Sequence, residues 1–489
     1  TVHLTAGNFQ ELLDLEFHMI EGTPPRDVIS LDKMWQGYYS LNNFDEAVPP
    51  DTITLPSNAE TFKLKITTSG HEWDNSTNCA EFCQKSHWVD VDGTTCYEWE
   101  ILDECSTNPL YPQGGTWIYD RAGWCPGAKV TLRDIEITPY ISSDTVILDY
   151  NCDSDPYGKY SVSSYLISYS APNFTLDAAI EDVLMPNSRK FYGRFNPMCG
   201  KPLILIRNTG ADSLYNLNIS YGPEGGIMQE YQWEGTLAFN DTSYIELPPI
   251  DWTGWTTDNN TFLVSIDSPN GGQDAYIFNN SYQTNFELTP EYPNEFVIYF
   301  KTNLVGYQNR YTITDAEGNI ILERDDFENS TEYVDTVFLV DGCYNFTLHD
   351  SGDNGISFWA NNQGSGFLYF KKMDGTMLYN FKSDFGRYIS QEFTVGFAVD
   401  LSERIIPGEF EIFPNPSTGL IKCNLSFSEI QKVKVSIVNS MGQIIHEEFF
   451  TGHNSYSETF DLSKQKNGVY FIKIRTVDGL EVRKVVISK

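Results

Sequence analysis

Seven histidines are all this 489-residue chain contains, and no two of them are spaced His-x-His. Together with the lack of any Cys/His cluster at zinc-ligand spacing, this argues against a metal centre built on imidazole. Basic residues are equally scarce: 32 Lys and Arg stand against 67 Asp and Glu, a net charge of −35. A polyanionic partner needs a basic face, so nucleic acid is excluded. No segment sustains a helical period over several turns, and no apolar run is long enough to cross a bilayer as a helix. Aromatics, by contrast, are plentiful, with 31 Phe and 29 Tyr. Short alternating runs such as Phe62-Lys63-Leu64-Lys65-Ile66 recur, as half-buried strands require. The expectation is an all-β, multi-domain chain of about three or four domains.

The acidic charge is uneven. Residues 405–489 carry ten Lys and Arg against nine Asp and Glu, net +1, which leaves −36 on the residues before them. An acidic body with a near-neutral tail fits an extracellular protein kept soluble by charge. Nine cysteines, five of them between Cys79 and Cys125, argue for an oxidising compartment, and the odd count leaves at least one thiol free. Cys152 and Cys199 flank one linker, which suggests that they pair.

Two stretches carry candidate chemistry: Asn78-Cys79-Ala80-Glu81-Phe82-Cys83 and Asp120-Arg121-Ala122-Gly123-Trp124-Cys125-Pro126-Gly127. A stapled loop can hold a charged side chain on a fixed backbone. If the two loops meet, Glu81 and Arg121 pair beside Trp124, where they either orient a water against an amide or simply tie two loops together. The combination resembles the second jelly-roll domain of the peptide-N-glycosidase F family over roughly residues 15–180. Loop closure and the family pattern together imply the disulfides Cys79–Cys83 and Cys105–Cys125. The resemblance implies hydrolysis of the glycosyl-asparagine amide, with Glu81 and Arg121 as catalytic residues and His71, Phe82 and Trp124 near the glycan. This chain departs from the family at several points. Phe82 replaces a Trp, the Trp-Gly step before His71 is absent, and the strand aligned with Val2–Gly7 carries no acid. The family's essential Asp lies in its first jelly roll, and nothing like its motif occurs here. One carboxylate alone supplies water activation or leaving-group protonation, but not both. The alternative is therefore a non-enzymatic glycan-binding or adhesin-like surface protein. Copper monooxygenases share the double jelly-roll architecture but need clustered His and Met ligands, so they are rejected.

The expected organisation follows. Residues 1–24 read as the remnant of a preceding jelly roll, with further residues expected upstream. Residues 25–185 form the jelly roll, and Ig-like β-sandwiches follow. The first spans 198–287, opening on Pro202-Leu203-Ile204-Leu205-Ile206-Arg207-Asn208, and the second spans 288–398. The latter contains His349-Asp350-Ser351-Gly352-Asp353-Asn354-Gly355, where oxygens of Asp350, Asp353 and Asn354 could hold a structural Ca2+, or where an Asp/Gly turn simply needs its positive φ angles. No other cofactor is expected.

Residues 405–489 open on Phe413-Pro414-Asn415-Pro416-Ser417-Thr418-Gly419, use Asn439-Ser440-Met441-Gly442-Gln443 as a hairpin turn, and end on Arg483–Lys489. They resemble the type A C-terminal sorting domain of the type IX secretion system. The resemblance implies export across the outer membrane to a secreted or cell-surface location. It also implies an outer-membrane barrel as partner, with the chain captured as an export substrate. Contact is expected through Tyr470–Ile474 and Val485–Lys489.

Overall fold

The computed structural model describes residues 22–74, 79–224, 226–250, 260–396, 408–427, 430, 433–439, 444–476 and 479–489. The expectations for Val2–Gly7, most of the 1–24 remnant, Asn78 and most of the 439–443 turn lie outside these residues. The described residues are overwhelmingly strand, arranged as eight sheets around four large apolar cores. No helix among them is long and apolar enough to cross a membrane.

The first pair of sheets packs face to face. One orders its strands Arg26–Ser40, Lys159–Pro172, Thr61–His71 and Leu132–Glu136; the other orders Asp51–Thr54, Thr145–Cys152, Ser86–Val91 and Thr94–Glu100. Strict alternation explains the packing. Along Thr61–His71 every second residue is buried, so Phe62, Leu64 and Ile66 enter the core while Lys63 and Lys65 face outward. His71, on the outward parity, ends the strand at the rim.

The next module pairs a three-stranded sheet (Thr242–Glu246, Leu203–Asn208, Ala178–Met185) with a four-stranded one (Gln229–Leu237, Leu214–Pro223, Thr261–Asp267, Ser281–Asn285). Ala178–Met185, which the sequence placed at the end of the jelly roll, pairs antiparallel with Leu203–Asn208 of the following module. Its continuous Ala-Ala-Ile run is buried against that second core. The third module pairs a five-stranded sheet containing Gly342–Asp350 and Tyr388–Val395 with a four-stranded sheet containing Glu295–Lys301 and Phe367–Lys372. Its core is mainly aromatic, with Phe296, Phe300, Phe346, Phe370 and Phe393 in mutual contact or sharing neighbours.

The expected Cys152–Cys199 bridge is replaced by Cys199–Cys343, with Cα atoms 5.8 Å apart, which ties the segment before Leu203 to the third module. The reason is strand parity. Cys152 lies inward on Thr145–Cys152 and its thiol is buried in the jelly-roll core, where desolvation pushes its pKa upward.

The jelly roll and the third module are directly docked. Trp117 Nε1 donates to both carboxylate oxygens of Asp384 at 3.1 Å. The Arg194 guanidinium donates to the carbonyls of Asn108 and Phe385 and lies 4.0 Å over Tyr111. Gly386, at φ 75°, passes so close to Ser106 that a Cβ would stand 2.0 Å from its carbonyl oxygen.

The acidic loop of the third module is built as a turn. Asp350 is buried, and its Oδ2 accepts the N–H groups of Asn354 and Gly355. Asp353 forms a two-bond pair with Arg387, and Asn354 Oδ1 accepts from Asn361. These oxygens of Asp350, Asp353 and Asn354 are thus used within the protein, and the expected Ca2+ has no support. The one close His/Cys/Asp/Glu group among the described residues is Cys199, Cys343 and Glu392, whose sulfurs are spent in a disulfide.

Residues 398–489 form a separate compact unit. It holds a three-stranded sheet (Gly408–Phe413, Leu420–Phe427, Ser455–Asp461) and a four-stranded one, ordered Ile444–Phe450, Val433–Asn439, Gly468–Thr476 and Gly479–Ile487. Tyr470–Ile474, expected to make an external contact, lies on an interior strand hydrogen-bonded on both sides. Val485–Lys489 falls on or beside the edge strand, where Ser417 and Asn415 already bond to part of it.

Candidate functional site

The two cysteine-bounded loops do meet. Cys79–Cys83 and Cys105–Cys125 are both disulfides, with Cα atoms 5.7 and 5.3 Å apart. Between them, residues 121–123 thread past the end of Thr61–His71. Ala122 donates its N–H to Glu81 O, and Gly70 donates to Ala122 O, both at 2.8 Å. Gly123, at φ 78°, leaves no room for a side chain, since a Cβ would lie 2.0 Å from Thr68 O. Trp124 then turns back and donates its indole N–H to Gly70 O at 2.9 Å.

This backbone weave presents Arg121 to Glu81. Arg121 Nε donates to Glu81 Oε1 at 3.2 Å; the side chains are 6% and 22% exposed, so the carboxylate, not the guanidinium, is the group solvent can reach. The other two nitrogens of the guanidinium are also bonded: Nη1 donates to Tyr119 O at 2.9 Å and Nη2 to Thr116 Oγ1 at 3.1 Å. Its faces are covered by Phe82 and Trp124, whose ring centroids lie 5.0 and 5.2 Å away. Burial lowers the Arg121 pKa from its usual value, opposed by the Glu81 hydrogen bond and charge.

His71 stands beside Trp124, with ring centroids 5.5 Å apart, and Tyr38 lies 5.7 Å from its ring. Its Nε2 contacts Ser69 Oγ at 2.9 Å. Partial burial lowers the His71 pKa, against the raising effect of Glu81 and then Glu72. All five residues singled out in the sequence for catalysis or glycan contact are thus brought together.

Several neighbours were not legible. Glu72 follows His71 in a left-handed backbone conformation at φ 75°, rare for a side chain of this size, and pairs with Lys159 at 2.7 Å. Lys159 in turn lies over Tyr38, 5.4 Å from the ring centroid. Trp73 and Tyr119 are exposed rings flanking Phe82 at 6.0 and 6.5 Å. The available signal was weak: Glu72-Trp73 directly follows His71, and an acid beside an aromatic is common in turns.

Residues 39–167 match the family described as peptide-N-glycosidase F, C terminal. All five sequence-predicted residues of this glycosidase-F-like domain lie inside that range. Residues 411–488 match the secretion system C-terminal sorting domain. Peptide-N(4)-(N-acetyl-beta-D-glucosaminyl)asparagine amidase F from Elizabethkingia miricola is 31% identical over 180 residues, which cover 32% of this chain and 49% of that protein. The chain therefore spans about half the length of the curated relative it matches. Among solved structures, recombinant peptide:N-glycanase F is 25% identical, with 29% of this chain and 53% of that one covered at a TM-score of 0.24. A tetra-tandem repeat from the extending region of a large adhesion protein is 12% identical over 90% of this chain and 98% of that one, at a TM-score of 0.16. At such scores the structural superpositions carry no argument. The sorting domain marks the chain for export across the outer membrane, to a secreted or cell-surface location, and implies interaction with the type IX secretion machinery.

A cavity of about 400 Å3 lies away from this site, between residues 193–197 and the strands Gly342–Asp350 and Tyr388–Val395. The Glu81–Arg121 site is lined instead by the rings of Phe82, Trp124 and His71.

Proposed function

We propose that the glycosidase-F-like domain of this exported protein recognises N-linked glycans through the surface around Glu81 and Arg121. The observation that carries this reading is the ion pair itself. Two disulfides fix its loops, a guanidinium bonded through all three nitrogens orients Glu81, and one carboxylate edge stays reachable beside Phe82, Trp124 and His71. Such an edge accepts hydrogen bonds from sugar hydroxyl or acetamido groups, while the rings stack on the apolar face of a pyranose.

The second reading is hydrolysis of the glycosyl-asparagine amide, and the reachable Glu81 carboxylate favours it. Amide cleavage needs one group to activate water and another to protonate the leaving nitrogen. Among the described residues, the other carboxylate acting on His71 is Glu72, and Lys159 neutralises it. Binding with little or no release of glycan is therefore the expected behaviour of chain 1–489. The check is to incubate it with an asparagine-linked glycopeptide, following binding by calorimetry and release by mass spectrometry. Glu81→Gln should weaken binding and abolish any release while leaving the melting temperature nearly unchanged. Robust turnover by the unaltered chain would overturn the binding-only reading, and unaltered affinity in Glu81→Gln would remove Glu81 from the site.

For the tail, we infer that an outer-membrane barrel of the secretion machinery receives residues 405–489. Its near-neutral charge supports this, because docking such a surface avoids the repulsion that the acidic body would meet.

A further inference from the structure

A row of aromatic rings leaves the Glu81–Arg121 site and crosses from the jelly roll to the third module. Trp73, Phe82, Tyr119, Phe358 and Trp359 follow one another, and each ring centroid lies between 6.0 and 6.5 Å from the next. Exposure alternates along the row. Trp73, Tyr119 and Trp359 are 48%, 42% and 68% exposed, whereas Phe82 is half-buried and Phe358 is buried at 3%. The phenylalanines are props and the other three rings face solvent. Burying Trp, the residue with the largest apolar surface, would stabilise the fold, so a fixed and exposed Trp359 calls for a physical account.

Trp359 is held by its polar end. Its indole N–H donates to Gly115 O, in the jelly roll, at 2.8 Å. Phe358 beside it packs with Trp117 and Ile118 in a small separate core that spans both modules. Trp117 is itself pinned by Asp384, and Arg387 donates its N–H to Ser106 O. The loop after Asp350 therefore places Phe358 and Trp359 against the jelly roll, and the capped Asp350 turn fixes where that loop departs. The row is also tied to the ion pair, because the carbonyl of Tyr119 accepts from Arg121 Nη1.

We propose that this row is a binding track for the outer sugars of an oligosaccharide, and that the third module supplies its far end through Trp359. The proposal rests on the glycan reading of the Glu81–Arg121 surface and extends it to a ligand class: a chain longer than the sugars that Glu81 and His71 can touch. The chemistry is that of an uncharged, hydroxyl-rich chain with apolar C–H faces. The exposed rings offer flat apolar surface at successive positions, and the cation beside Phe82, Arg121, is 6% exposed and paired with Glu81, so it is not presented to an anion.

Calorimetry of the full chain with two probes tests it: a GlcNAc disaccharide, and a longer N-glycan oligosaccharide containing that disaccharide. Trp359→Ala should weaken the longer probe about tenfold and leave the disaccharide unchanged, with Trp359→Phe retaining most of the affinity. Unchanged affinity for both probes in Trp359→Ala overturns the track while leaving the glycan site standing. Equal losses for both probes also overturn it, since they mean general damage to the docked modules. Failure of the unaltered chain to bind either probe removes the glycan reading and the track together.

Discussion

At the scale of single residues, Arg121 and Glu81 contribute differently although they form one pair. Arg121 is nearly buried and serves Glu81, Tyr119 O and Thr116 Oγ1 at once. Arg121→Ala strands those acceptors and a half-buried carboxylate, so it should cost about 2–4 kcal/mol of stability, read by urea unfolding of the full chain. Glu81→Gln keeps an oxygen that can accept from Nε and should cost under about 1 kcal/mol. A large loss in both variants would make the pair a purely structural tie. Sequence spacing made this pair legible, because Cys79, Cys83 and Cys125 fix where both side chains stand. Glu72 was not legible: nothing in its neighbours reveals a left-handed backbone, which arises where strand Thr61–His71 gives way to the Cys79–Cys83 loop. The Asp350 loop was legible as a turn but ambiguous as to cation, and only the partners of its oxygens settle the matter.

At the scale of elements, strand alternation gave most of what could be read, including the inward face of Thr61–His71 and the runs that build each core. Alternation cannot say which sheet a strand joins. Ala178–Met185 therefore went to the wrong module, and Cys152 was assigned a partner although its parity points inward. The same parity buries a histidine. His87, on Ser86–Val91, is fully buried, with Nδ1 2.8 Å from Tyr150 Oη, which in turn meets Thr68 Oγ1 at 2.8 Å. Burial pushes its pKa from 6.5 down to about 3. The sign follows from proton counting. Below 6.5 the unfolded chain takes up a proton that the folded jelly roll refuses until about 3, so stability falls as pH drops through that window. Between about pH 6.5 and about pH 5 the His87 share of the loss should approach about 1.4 kcal/mol per pH unit, against an opposite share from Asp274 and Asp350, whose carboxyls burial raises to about 7 and about 6. His87→Phe, which keeps an aromatic ring against Trp99, should remove the His87 share from the slope in urea titrations of the two proteins. An unchanged slope would mean that His87 already protonates in the folded state.

At the scale of the whole molecule, the body and the tail divide the work by charge and by contact. Residues 1–404 hold −36 and the tail +1. The long-range ties of the body could not be read from sequence: Trp117 and Asp384 are 267 residues apart, Trp359 and Gly115 are 244, and Cys199 and Cys343 are 144. Each depends on how modules pack, and no local pattern encodes that. The tail was legible because its turn and strand landmarks lie within one short unit with its own core. Its topology also narrows what the export apparatus can touch. Gly468–Thr476 spends its backbone on neighbours at both sides, so a partner strand would have to add at an edge: in this sheet on Ile444–Phe450 or on the part of Gly479–Ile487 not already bonded to Asn415 and Ser417, in the other on Gly408–Phe413 or Ser455–Asp461. Deleting residues 405–489 removes all four edge strands without cutting any strand of the body, so the remaining protein should fold but accumulate inside the cell envelope instead of reaching the medium. Cell fractionation of the producing strain measures this directly. Normal amounts of the truncated protein outside the cell would show that the tail is not what the export apparatus reads.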